Sequence, residues 1–124
     1  MAHVLIVDEH AAFRQPLAFL FNREPDLTVV AQTGSVAEGR RLLEEVDIAV
    51  VDLDLADGKG VELVREMCTA RPRTCVLALT SSGAQDERAG AVEAGTVEIL
   101  GKSVGLDEIM RTMAQLCTEV EAAE

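Results

Sequence analysis

Four short apolar runs each stop at a residue that can do chemistry. His3–Val7 gives way to Asp8 and Glu9, Ile48–Val51 to Asp52, Val76–Leu79 to Thr80, and Val97–Leu100 ends just before Lys102. Leu27–Ala31 is a fifth run of the same kind. These runs lack the strict alternation of a half-exposed strand, so they read as strands covered on both faces, the situation of a parallel sheet.

Segments of helical period lie between and after them. Phe13, Leu17, Leu20 and Phe21 recur at i, i+4, i+7 and i+8. Ser35–Glu38 reads S-V-A-E, a capping box that predicts a helix toward Glu45. Val61, Val64 and Cys68 line one face of a third helix, and Leu106, Ile109, Met110, Met113, Cys117 and Val120 stripe the last. Ala84–Ala94 has helix formers but a thin apolar face, mostly Ala with one Val, and is expected to pack lightly. Pro16 stands inside the first pattern, where it removes one helical hydrogen bond and is expected to kink that helix or delay its start. Strand and helix alternate five times, and right-handed crossovers turn that order into a doubly wound α/β sandwich.

A length of 124 residues suits one domain, with a core over about residues 3–120 and an acidic tail, 121–124, expected to fray. Eleven basic residues against 22 acidic ones give a net charge of −11, a field that repels phosphate backbones and excludes nucleic acid as a partner of this chain. The only aromatic residues are Phe13, Phe19 and Phe21, too few and too close in sequence for base-stacking platforms. No run approaches the roughly 20 apolar residues that span a bilayer, and no signal segment is seen, so no membrane partner and a cytoplasmic location are expected. The three cysteines, Cys68, Cys75 and Cys117, fit no zinc spacing and read as small buried or half-buried thiols. His3 and His10 are too few and too scattered for a zinc site.

In an open α/β sheet, ligands bind beyond the carboxyl ends of the strands, where the strand order reverses. Asp8, Glu9, Asp52, Thr80 and Lys102 are expected to meet there, brought from four strands. Three crowded carboxylates repel one another, and a divalent cation relieves the repulsion; hard oxygen donors suit Mg2+. With Lys102 included the charge sums to zero, so one carboxylate can take up a phosphoryl group whose charge the metal and Lys102 offset, while Thr80 donates to a phosphoryl oxygen. Asp52 is the best nucleophile, because it ends a central strand with no carboxylate directly beside it. A nucleotide- or flavin-binding module is the competing class, but such folds carry a glycine-rich turn after the first strand, and here that turn reads Asp8-Glu9-His10.

These residues carry a resemblance. In order and separation, Asp8-Glu9, Asp52, Thr80 and Lys102 resemble the receiver domain of two-component response regulators over about residues 3–120. The stretch Asp52–Gly60 (DLDLADGKG) and the pair Ala94-Gly95 match it as well, and residues 8–30 are most similar to regulators with a C-terminal helix-turn-helix output domain. The resemblance implies a flavodoxin-like sheet of strand order 2-1-3-4-5. It implies Mg2+ held by Asp8 or Glu9, Asp52 and the main-chain carbonyl of Asp54, and phosphorylation of Asp52 by a sensor histidine kinase. The domain is then a switch that assists its own phosphorylation and dephosphorylation and not a turnover enzyme; a homodimer and a helix-turn-helix output domain outside this chain are compatible with it. The alternative is a degenerate receiver that only binds partners. The chain departs from the pattern at Glu9 (more often Asp), Ala56 (often Pro), Ser103 (often Pro) and Ile99 (usually Tyr or Phe). The last removes the aromatic ring that reports the state of the hydroxyl residue to the surface.

Overall fold

The computed structural model describes residues 1–55, 60–81 and 85–123, without the side chains of Asp86, Glu87 and Ala123. Ala56 and Ala84, noted above, lie outside the described residues.

The elements follow in the order β1 (Ala2–Val7), α1 (Ala11–Asn22), β2 (Leu27–Thr33), α2 (Val36–Arg41), β3 (Ile48–Asp52), α3 (Gly60–Ala70), β4 (Cys75–Thr80), α4 (Gln85–Ala94), β5 (Glu98–Gly101) and α5 (Leu106–Ala123), with a single 3-10 turn, Lys102–Val104, before α5. The strands form one parallel sheet in the order β2-β1-β3-β4-β5, as expected. Successive side chains leave a strand on opposite faces. Val4 and Ile6, Ile48 and Val50, and Leu77 and Leu79 therefore enter one core with Leu17 and Phe21 of α1 and Ile109 and Met113 of α5. Leu5 and Val7, Ala49 and Val51, and Val76 and Ala78 enter a second core with Val36 of α2, Leu63 and Met67 of α3, and Ala91 of α4. Burial on both faces is why β1, β3 and β4 read as continuous apolar runs. No helix among the described residues is long and apolar enough to cross a membrane.

The helices depart from expectation where tertiary contacts decide. Ser35 caps α2 by accepting the Glu38 N–H at 3.0 Å, but the helix ends at Arg41 and does not reach Glu45. Gly39 lies inside it, and a Cβ there would stand 3.2 Å from Leu63 and 3.4 Å from Val7, so the glycine allows close packing at the expense of helix propensity. The chain then turns through Glu45, at φ 61°, and buries Val46. In α3 the fully buried apolar residues are Leu63, Val64 and Met67, while Val61 and Cys68 are only partly covered. The helix is rotated from the predicted face because it begins at Gly60, pressed against the turn after β3: a Cβ there would lie 2.5 Å from the Asp52 carbonyl oxygen and 2.6 Å from Leu53 Cα. In α5, Leu116 joins the buried stripe and Leu106 is exposed. Among its described side chains α4 buries only Ala91 and Ala94 and leaves Val92 exposed, so its apolar face is as thin as its sequence. Pro16 does not delay α1, which starts five residues earlier at Ala11. The three cysteines are free thiols.

Candidate phosphoacceptor site

The sheet order reverses between β1 and β3, and the residues just past those strands face each other. Asp8 follows β1, its N–H donating to the Thr33 carbonyl at 2.9 Å, and its side chain is buried. Asp52 is the last residue of β3 and is fully buried. Its Oδ1 accepts the Asp54 N–H at 2.9 Å, an Asx-type turn that fixes the carboxylate, and its Oδ2 accepts from Lys102 Nζ at 3.0 Å. Lys102 is the first residue of the 3-10 turn after β5, and its Nζ lies over the Phe13 ring of α1, 4.9 Å from the centroid. The same ammonium lies 2.8 Å from Asp8 Oδ2. Thr80, buried at the end of β4, is paired in register with Gly101 of β5.

Burial pushes the Asp52 carboxyl above its usual range; the Asp54 N–H and Lys102 pull it back in part, and the Asp8 charge adds to the rise. Burial alone would lower the Lys102 ammonium, but its close pairing with the carboxylates of Asp8 and Asp52 outweighs it and holds it above its ordinary value. One cation thus serves two buried carboxylates. Asp8 Oδ2 is buried and receives no hydrogen bond; Lys102 faces it at ion-pair distance without hydrogen-bond alignment. A buried carboxylate oxygen held only by charge is poised for a further cation. Asp8, His10 and Asp52 each offer a ligand atom within 4.8 Å of the others. Two hard carboxylates that share one ammonium between them fit a divalent cation of the Mg2+ type.

The structure thus brings together Asp8, Asp52 and Lys102 from three strand ends and sets Thr80 at the end of the strand between those of Asp52 and Lys102. Glu9 is exposed and stands outside the cluster of ligand atoms. Asp54 is placed through its N–H on Asp52, and its carboxylate turns to Ser81, whose N–H and hydroxyl donate to Oδ2 at 2.9 and 2.7 Å. The residue that sequence reasoning missed is His10. Its N–H donates to Asp8 Oδ1 at 2.8 Å, and its Nδ1 lies 3.3 Å from the same oxygen and 3.9 Å from Asp52 Oδ2. Two histidines cannot make a zinc site by themselves, but one histidine two residues after a strand-end aspartate can complete a mixed one; that spacing was the available signal.

A profile of the response regulator receiver domain matches residues 4–114. The DNA-binding transcriptional activator DevR/DosR of Mycobacterium tuberculosis is 34% identical over 115 residues, which cover 91% of this chain and 53% of that protein. The chain spans about half, and for some relatives about a third, of the length of the curated proteins it matches. Its fold superposes on a CheY-like receiver domain protein from Methanospirillum hungatei JF-1 with a TM-score of 0.92 at 21% identity, covering 100% of this chain and 99% of the other. A response regulator protein from Burkholderia pseudomallei, solved with a phosphorylated aspartic acid, a calcium ion and citrate, matches with a TM-score of 0.83 at 25% identity, over 99% of this chain and 72% of that one.

Proposed function

The chain belongs to the response regulator receiver domain family, and from its site we infer that residues 1–124 form one receiver domain in which Asp52 accepts a phosphoryl group from a sensor histidine kinase. An Asp52 carboxylate oxygen attacks the phosphorus of the kinase's phosphohistidine. The O–P bond forms as the P–N bond breaks, and the imidazole leaves with the electron pair. Lys102, already 3.0 Å from Asp52 Oδ2, stays within reach of the phosphoryl oxygens and offsets their charge. The Thr80 hydroxyl, at the neighbouring strand end, donates to one of them. Asp8, Asp52 and the main-chain carbonyl of Asp54 would hold Mg2+, which would supply positive charge against the phosphoryl oxygens. The domain takes part in its own phosphorylation and dephosphorylation without turning over a separate substrate.

The observation that carries this reading is the sharing of Lys102 between two buried carboxylates, Asp8 and Asp52. That arrangement leaves negative charge uncompensated until a metal arrives and then holds a cation where a phosphoryl group would sit. A role independent of phosphorylation would not need these groups assembled on one edge. The likeness to a DNA-binding activator supports a transcriptional output domain outside this chain, acting in the cytoplasm. Intact-mass measurement after acetyl phosphate and Mg2+ tests the core of the proposal. One phosphoryl group is expected on the wild type and none on Asp52→Asn; an equal adduct on the variant, or labelling that ignores Mg2+, overturns it.

A further inference from the structure

We propose that His10 is a nitrogen ligand of the metal held at this strand edge, and that it shifts the site's preference from Mg2+ toward first-row transition cations. This rests on the reading of that edge as a divalent-cation site.

The geometry begins with the backbone. The His10 N–H on Asp8 Oδ1, at 2.8 Å, closes a tight turn that carries the imidazole back over the strand ends. Nδ1 then lies within 4.8 Å of a carboxylate oxygen of both Asp8 and Asp52. Glu9, which the family resemblance offers beside Asp8 as an oxygen donor, is exposed and outside that cluster. Lys102 Nζ stands 3.3 Å from Nδ1. An ammonium has no lone pair, so a hydrogen bond between them makes Nδ1 the acceptor; a metal would take that lone pair over from the ammonium, which keeps Asp8 and Asp52 as its partners. Asp8 Oδ1 already accepts the His10 N–H, while Asp8 Oδ2, buried, lacks any hydrogen bond. Nδ1 lies 3.3 Å from Asp8 Oδ1 and 3.9 Å from Asp52 Oδ2, so the imidazole and both carboxylates border one space. Mg2+ prefers oxygen and gains little from a nitrogen, whereas Mn2+, Co2+ and Zn2+ accept imidazole readily.

Calorimetric titration with Mg2+ alone and Co2+ alone, on the whole chain, separates the possibilities. Mutating even groups that only support a metal ligand commonly costs 10–100-fold in affinity, so His10→Ala should weaken Co2+ by at least about tenfold. Its effect on Mg2+ should stay under about twofold. Glu9→Gln should leave the Co2+/Mg2+ ratio as in the wild type. In the Co2+-bound chain, proton NMR should show one hyperfine-shifted, solvent-exchangeable imidazole N–H that persists in His3→Ala and vanishes in His10→Ala. An unchanged ratio in His10→Ala, a ratio that collapses only in Glu9→Gln, or a missing imidazole signal overturns the role of His10 while leaving the site itself standing. Asp8→Asn separates the two readings: if it keeps both metals at wild-type affinity, the cation site falls, and the ligand with it. His10 is exposed, so its removal does not threaten the fold.

Discussion

Ser81 grips Asp54 with two donors, its N–H at 2.9 Å and its hydroxyl at 2.7 Å from the same carboxylate oxygen. The pair ties the turn after β3 to the end of β4, where Thr80 sits. Ser81→Ala removes the hydroxyl arm and keeps the N–H. Chemical denaturation should register a loss of about 1 kcal/mol, since a hydrogen bond of this kind contributes roughly 0.5–1.5 kcal/mol.

The Asp52 carboxyl is raised by burial, so its charged form is disfavoured in the fold. Between its unfolded and folded pKa the native state binds more protons than the unfolded chain, and stability falls as pH rises through that window. Asp52→Asn should therefore raise the melting temperature of the metal-free protein at pH 7.5, and raise it less at pH 4. Lys102 works the other way: raised in the fold, it stabilises at all pH values below its unfolded pKa and loses this only in strong alkali. Thermal melts of the wild type and variant at both pH values check the sign; equal shifts at the two would contradict it.

Mg2+ should stabilise the chain through the carboxylate pair. A ligand at a hundred times its Kd adds about 2.7 kcal/mol to a fold that alone can bind it. The rise in melting temperature should disappear in Asp8→Ala and survive in Glu44→Gln. Asp8→Ala should also melt no lower than the wild type without metal, because it relieves repulsion against Asp52.

Gly60 admits no side chain. A Cβ there would meet backbone, the Asp52 carbonyl oxygen at 2.5 Å and Leu53 Cα at 2.6 Å, and no rotamer change can make room. Overpacking of this kind costs about 1–3 kcal/mol. Gly60→Ala should lower stability in a urea titration by at least that much and slow labelling of Asp52 by acetyl phosphate, because the clash falls on the backbone of Asp52 itself.

Ile99, partly buried in the second core, has no ring to swing and few rotamers. α4, held by Ala91 and Ala94, is the element most free to respond. A ligand shifts a conformational equilibrium only by its differential affinity for the two states. Self-association through the face of α4, β5 and α5 should therefore change less than about tenfold, ~1.4 kcal/mol, on adding beryllofluoride. Light scattering that finds a clean monomer-to-dimer conversion at micromolar protein would contradict this.

The strands were legible because both faces of β1, β3 and β4 are covered, which removes alternation and leaves contiguous apolar runs with abrupt polar ends. Those ends delivered Asp8, Asp52, Thr80 and Lys102 from sequence alone. Helix faces were legible only where the helix start was free. In α3 the start is set by Gly60 against the turn at Asp52, a contact between segments eight residues apart with no periodic signature, and the stripe moved to Leu63, Val64 and Met67. His10 was invisible for a related reason: its role comes from one backbone hydrogen bond that folds the imidazole back over its own strand, and composition rules for zinc ask how many histidines there are and not where a single one returns.

The pleat of β1 and β3 has a consequence for how this chain can change over time. Val7 and Val51 point into one core, and the next residues, Asp8 and Asp52, form the site. A residue inserted or lost within either strand would exchange the side chains of the two cores, and would also displace one carboxylate along the sheet by about 3.3 Å relative to the other. A compensating two-residue slip would restore the cores and still leave the acids about 6.6 Å out of step. The same parity governs packing and chemistry, so length variation should collect at the far edge, in segments such as residues 42–47 and 71–74, where the chain can grow without shifting the phase of either strand.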